Sequence, residues 1–265
     1  MERGSYRASR YEPAQAQVYH LSLLTGQGIS AWAAHEKLTG KVVALGWAGG
    51  NDALMDKLLP QRPGSISFVS LPEWSTLVPD GALAPGSEAK HLALVYGGAP
   101  SGAMRDEPVR SLGATCIYVH NDIAERAVLD KYPNARPLPM QNLMVRGALA
   151  RCGTDPIALI HRGADQLAVT IAWKHQILLS NTFPIKSAND MLYFALLAAE
   201  QTGYKPGDIA LRYSGTHLNN GERELLNRYF KDSTPAGIPL WPDFVDNEKA
   251  PLYRFFAVLE QFACV

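Results

Sequence analysis

The sequence predicts an α/β protein of two similar halves, each opening with three strands and then alternating helix with strand, in the order βββαβα. Three observations carry that prediction. Apolar residues recur with a period of two over 166–173, helix-start signals stand at Ser187 and Asn219, and residues 18–47 repeat the triple-strand opening. The halves share element order and not residues, so the repeat concerns topology alone.

The second half is the more sharply punctuated. Leu167, Val169, Ile171 and Trp173 fall on one side of a pleat and Gln166, Ala168, Thr170 and Ala172 on the other, which predicts a strand buried on one face. Residues 177–183 follow as an antiparallel partner, although the intervening Lys174-His175 lacks the Asn-Gly or Gly-X chemistry of tight turns. Ser187 and Asp190 have capping-box spacing. Met191, Leu192, Ala195, Ala198 and Ala199 then form an apolar stripe, and Gly203, Pro206 and Gly207 end the helix. A strand over 209–213, the turn Ser214-Gly215-Thr216 and a helix capped by Asn219 with Glu222 complete the unit.

In the first half, 18–24 and 29–34 read as strands around the turn Thr25-Gly26-Gln27-Gly28, and 41–47 as a third, followed by a short helix capped by Asn51. Residues 65–71, 91–96 and 115–119 are short apolar runs bounded by Gly or Pro; 122–131 and 140–150 read as helices. Arg3, Arg7 and Arg10 lie among small polar residues, which predicts a disordered tail over 1–15. The polar stretch Cys152-Gly153-Thr154-Asp155-Pro156 marks the switch, giving domains at 16–153 and 154–265. A terminal helix beginning at Pro251 is expected to turn Phe255 and Phe256 into a core and to pack back on the first domain.

Composition narrows the function. The 265 residues are 47% hydrophobic and carry 25 basic and 25 acidic side chains, so a large core is available and no net field favours nucleic acid or an anionic membrane. No apolar run reaches the roughly 20 residues that span a bilayer, and the expectation is a cytoplasmic protein. Cys116, Cys152 and Cys264 are odd in number and widely spaced, which predicts buried thiols; no His or Cys spacing predicts a metal site.

Duplicated βββαβα halves resemble the actin-like ATPase architecture, a pair of ribonuclease H-like domains with an interdomain cleft. Residues 75–83, STLVPDGAL, and 177–203, ILLSNTFPIKSANDMLYFALLAAEQTG, resemble an uncharacterised bacterial domain-of-unknown-function family with that fold, over most of 16–260. At fold level the family is similar to actin-like components of cell-division and secretion or pilus machines.

The resemblance implies three sites. Active members hold Mg²⁺ and phosphates with a first-hairpin motif near DxG, a second near DxGxxT and a Gly-rich adenosine turn, because phosphoryl transfer depends on positioning and on cations that neutralise oxygen charge. The first corresponds to His20-Leu21-Ser22 with Gly26 and Gly28, without an acid. The second becomes His161-Arg162-Gly163-Ala164-Asp165, with histidine in place of the leading acid, and the third Ser214-Gly215-Thr216, one glycine short. Hairpin geometry accounts for Gly26 and Gly28 and turn chemistry for Asp165, while His161 and Arg162 are candidates to clamp an anion.

The expected function is therefore a non-catalytic actin-like module that binds a protein or its own copy, with no cofactor, no catalytic residue and no metal. Pro72-Glu73-Trp74, Leu240-Trp241-Pro242, Tyr253, Phe255 and Phe256 offer aromatic anchors, although core packing suits the two phenylalanines better. The competing expectation is a divergent ATPase or small-molecule kinase that keeps ATP and Mg²⁺ through Asp165. A Ser-His-Asp or Cys-His hydrolase is disfavoured, because no GxSxG elbow is present.

Overall fold

A computed structural model describes residues 2–98, 100–237 and 251–265. The chain divides into two compact units that interleave in sequence: unit 1 is Met1–Glu73, His120–Leu138 and Ile238–Val265, and unit 2 is Trp74–Val119 and Pro139–Gly237. This grouping differs from a single linear boundary near 153, because the chain leaves unit 1 after its fifth strand and returns to it twice.

Unit 1 begins with β1 (Gly4–Arg7), β2 (Tyr19–Gly26), β3 (Ile29–Glu36), β4 (Val42–Gly49) and β5 (Ser65–Leu71). The chain then contributes β6 (Glu73–Pro79), α1 (Glu88–Tyr96), β7 (Met104–Val109) and β8 (Ala114–His120) to unit 2, and returns as α2 (Asp122–Leu129) and β9 (Arg136–Pro137). Unit 2 continues with α3 (Met140–Arg151), β10 (Ile157–Arg162), β11 (Gln166–Trp173), β12 (Gln176–Pro184), α4 (Ala188–Gln201), β13 (Ala210–Ser214), α5 (Asn220–Asn227) and β14 (Lys231–Pro235). The short terminal helix α6 (Phe256–Leu259) belongs to unit 1.

The sheet of unit 1 runs β1-β4-β3-β2-β5-β9. β2, β3 and β4 are an antiparallel meander, and β5 joins β2 in parallel, with Gly26 opposite Leu71. Residues 4–7, expected to lie in a frayed tail, form an edge strand: each pairs with β4, and Tyr6 rests against Trp47 at 5.3 Å between ring centroids. Four residues of tail gain ladder hydrogen bonds and an aromatic contact that composition does not announce. The helix expected after β4 is a single 3-10 turn, Asp52–Met55, and Asn51 makes no side-chain cap there.

Leu21, Leu23, Trp32 and Phe68 form the core of this unit with Val128 and Tyr132. Trp32 fits because its neighbour across the ladder is Gly46, where a β-carbon would collide with the indole. The terminal segment is fastened to the sheet through side chains: His35 Nε2 lies 3.2 Å from the Val258 carbonyl, and Gln261 Nε2 donates to the Leu23 carbonyl at 2.8 Å.

Unit 2 holds a five-stranded sheet, β12-β11-β10-β13-β14, and a three-stranded one, β6-β8-β7. β10 pairs antiparallel with β11 and parallel with β13, so β10–β12, α4, β13 and α5 realise the βββαβα order, with β14 added at the edge. β11 departs from the expected half-buried strand, because both α3 and α4 pack on it and every residue from 167 to 172 is buried. Its turn to β12 places both Lys174 and His175 at positive φ, 47° and 60°, the geometry that Asn-Gly favours, adopted here without those residues. Residues 91–96, one of the short apolar runs, lie in α1, closed by Gly97 at φ 75°. The Ala, Leu and Lys of EAKHLALVY are good helix formers and outweigh the single apolar run.

Candidate functional site

The second predicted motif sits at the carboxyl ends of β10 and β13, where open α/β sheets present ligand crevices. Register brings it together with the third, since His161 is opposite Ser214. Ser214 Oγ donates to the Ile160 carbonyl at 2.7 Å, so its oxygen accepts from His161 Nδ1 at 3.1 Å, which fixes the proton of the imidazole on Nδ1. Burial, with His217 nearby, pushes His161 down to about 3. The ring is neutral at physiological pH and substitutes neither for a carboxylate nor for a cation.

Arg162 is the centre of the turn. Its Nε donates to Glu222 Oε1 at 3.1 Å, and its Nη1 donates to the carbonyls of Gly163 and of Ala164, the latter at 2.8 Å. Both side chains of the ion pair are buried. Glu222 is held in turn by the start of α5: Oε2 accepts from the Asn219 N–H at 3.0 Å, and Asn219 Oδ1 accepts from the Glu222 N–H at 2.9 Å. The capping box read from the sequence thus also anchors a buried charge. Gly215, at φ 128°, is required because a β-carbon there would collide with the Arg162 backbone.

The remaining members are peripheral to this network. Thr216 Oγ1 lies 2.9 Å from His217 Nδ1, whose pKa is lowered by burial and by the Arg162 cation. Asp165 is exposed at the β10–β11 turn, and its carbonyl accepts from the Ile185 N–H at 2.9 Å. Among the described residues no group of three His, Cys, Asp or Glu side chains is arranged to hold a metal.

In unit 1 the first motif is a tight hairpin. Gly26 faces Ile29, so Gln27-Gly28 is a two-residue loop with both φ positive, 54° and 78°. Gly26, at φ 106°, also passes so close to β5 that a β-carbon would collide with the Leu71 carbonyl. Ser22 lies mid-strand and fully buried, away from the turn, and its hydroxyl has no hydrogen-bond partner among the described residues.

Sequence reasoning missed a charged cluster in the same unit. His120 Nε2 is 3.4 Å from Glu73 Oε2, and its Nδ1 is 3.3 Å from Glu125 Oε2, with all three side chains buried. Burial pushes His120 down, but the hydrogen bonds and charges of Glu125 and Glu73 outweigh it and raise the pKa. Residues 73 and 120 are separated by the whole β6–β8 excursion, so no local spacing signals the contact.

The aromatic anchors are mostly interior. Tyr253, Phe255 and Phe256 are buried, and Trp74 packs against Val78 and Leu92. Leu240-Trp241-Pro242 lies outside the described residues. Of the thiols only Cys116 is buried; Cys152 and Cys264 are partly exposed.

Residues 67–232 match a family described as a protein of unknown function (DUF3822). No curated protein matches the sequence. Among solved structures, a Bacteroides thetaiotaomicron protein with actin-like ATPase fold and unknown function superposes with a TM-score of 0.75 at 12% identity, over 95% of this chain and 98% of that one. A chain of the PilM-PilN type IV pilus biogenesis complex superposes with a TM-score of 0.55 at 13% identity, over 94% of this chain and 98% of that one. The fold is that of the actin-like ATPases.

Proposed function

The chain belongs to the DUF3822 family, and on that footing we propose that it is a non-catalytic actin-like module that binds another protein or its own copy. The observation that carries this reading is Arg162, whose guanidinium is buried against Glu222 and the carbonyls of Gly163 and Ala164. A phosphate cradle needs N–H donors and cations aimed at the ligand. A turn whose carbonyls converge on an internal cation, itself neutralised by a carboxylate, offers a phosphate little of either.

On this reading Ser22, Gly26, Gly28, His161, Arg162, Gly163, Asp165, Ser214, Gly215 and Thr216 are remnants of nucleotide loops retained for turn geometry and packing, in ribonuclease H-like domains read from the sequence as 16–153 and 154–265. The protein acts in the cytoplasm, and no helix among the described residues is long and apolar enough to cross a membrane. Support for a protein partner comes from α1, which leaves Leu94 83% exposed beside the half-exposed Val95. A fold neighbour solved in the PilM-PilN complex gives a precedent for partner binding.

Thermal melting with and without Mg-ATP tests the reading. A ligand at 100 times its Kd adds about 2.7 kcal/mol to native stability, so millimolar nucleotide should leave the melting temperature unchanged here. A saturable rise that requires Mg²⁺ would support a nucleotide-binding protein instead.

A further inference from the structure

Among the described residues, five of the six strands that end a sheet carry a charged residue: Arg7 in β1, Arg136 in β9, Glu73 in β6, Arg105 in β7 and Lys231 in β14. β12, QILLSNTFP, carries none. It pairs with β11 on one side and with no strand on the other among the described residues. Charge, proline and shortness are the usual means of keeping a sheet edge from pairing with another chain. β12 is long, uncharged and without proline until its last residue.

The direction of its peptide groups follows from their partners. The Ile185 N–H turns inward to the Asp165 carbonyl at 2.9 Å, and peptide groups alternate along a strand, so Ser180 and Thr182 turn theirs outward. There the Ser180 carbonyl accepts from Gln141 Nε2 at 3.2 Å, and the Thr182 N–H donates to Asn181 Oδ1 at 2.8 Å. Each meets a side-chain amide, the chemical equivalent of the peptide group a further strand would bring. On either side of this pair the edge is poorer, since the ladder skips Leu178 and Pro184 has no N–H. An incoming strand is therefore received best with its centre opposite Asn181. That arrangement is self-complementary, because an antiparallel copy turned about Asn181 sets Ser180 against Thr182 and Thr182 against Ser180.

α4 lines the same edge. Residues 191–199 are apolar without interruption, yet only Met191, Ala195, Ala198 and Ala199 are buried. Phe194 stacks on Phe183 of β12 at 4.7 Å between ring centroids, and Tyr193 meets Phe194 edge-on at 5.2 Å. This aromatic run begins in β12 and ends in solvent, with Tyr193 60% exposed and the half-buried Leu197 one turn on. An apolar outer helix face beside an uncharged sheet edge marks a surface that another chain covers.

We propose that β12 and α4 pair with β12 and α4 of a second copy of this chain, about a two-fold axis at Asn181. The proposal rests on the reading that the chain binds a protein or its own copy, and it names the copy as the partner. The axis is perpendicular to the sheet, so the two strands run antiparallel and both α4 helices fall on one face of the joined sheet. At about 3.3 Å per residue β12 is about 30 Å long, and with the helix layer beside it the patch covers roughly 500 Å² per copy. The pair then buries about 1,000 Å², the lower limit for a specific interface, which fits a reversible dimer of micromolar Kd.

Sedimentation velocity of the full chain from about 1 to about 300 μM tests the interface, with a shift from monomer to dimer expected across that range. Thr182→Pro removes the outward N–H at a position where an edge strand admits proline, and Tyr193→Glu puts a charge into the apolar contact. Each should weaken the dimer at least about tenfold, while Leu94→Glu on α1 leaves it unchanged. Tyr193 is exposed, so Tyr193→Glu keeps the fold, and an unchanged urea midpoint in dilute solution verifies this. A chain that is monomeric at every concentration, a dimer that survives both the β12 and the α4 variant, or one lost in Leu94→Glu instead overturns the proposal. Any of these leaves the non-catalytic reading intact, because the Mg-ATP melting experiment that tests it does not depend on association.

Discussion

Mild acid should destabilise this protein. Burial holds His20 to about 3, His35 to about 4 and His161 to about 3, whereas an unfolded histidine titrates near 6.5. A depressed folded pKa gives stability that is complete above 6.5 and lost as pH falls toward the folded value. Each buried neutral histidine therefore removes about 1.4 kcal/mol per pH unit below 6.5, or about 2 kcal/mol by pH 5. His20 and His35 lie in unit 1, where the loss is about 4 kcal/mol, and His161 lies in unit 2, where its loss of about 2 kcal/mol is increased by His217, whose pKa is also lowered by burial. His120 adds nothing to this loss: its folded pKa is raised, so its contribution is complete below 6.5 and declines only as pH rises through the folded value. Urea unfolding at pH 7 and pH 5, followed by tryptophan fluorescence, reads the effect; Trp32 and Trp47 lie in unit 1 and Trp74 and Trp173 in unit 2, and Trp→Phe variants that keep one pair separate the signals. With a slope of about 2 kcal/mol per molar urea, the unit 1 midpoint should fall by about 2 M. His20→Gln/His35→Gln should abolish most of that fall. Equal midpoints at the two pH values, or an undiminished fall in the double variant, would refute the reasoning.

Two further outcomes follow from the turns. Glu222→Gln strands the buried Arg162 cation and weakens the α5 cap, so unit 2 should lose about 3–5 kcal/mol by urea titration, and Arg162→Met/Glu222→Leu should recover much of it. Gly26→Ala meets the Leu71 carbonyl at a positive φ, whereas Gly28→Ala enters open space. The first should therefore cost several times the roughly 1 kcal/mol of strain expected for the second, measured as a difference in urea midpoints.

What was legible in the sequence was local. Ser187 accepting from the Asp190 N–H at 3.1 Å, and the Asn219–Glu222 box, are contacts between residues three apart, and spacing alone declares them. The triple-strand openings of both halves were readable for the same reason, since a period of two and a turn lie within one segment. Tertiary partners decided what was missed. β1 exists because β4 is there to receive it, and the short apolar run at 91–96 did not by itself announce the helix that begins at Glu88. The residues of the second motif are contiguous and so could be named from the sequence, but their meaning depended on Glu222, sixty residues on, meeting Arg162. The Glu73–His120–Glu125 cluster was invisible because an entire three-stranded sheet intervenes in the chain.

The most direct test of the central claim is phosphate release from Mg-ATP by the purified full chain, run beside an Asp165→Asn variant. The account predicts that both release phosphate at the rate of buffer alone, because Arg162 is engaged by Glu222 and the turn carbonyls. Turnover above that background in the wild-type chain, lost when Asp165 is replaced, would contradict it.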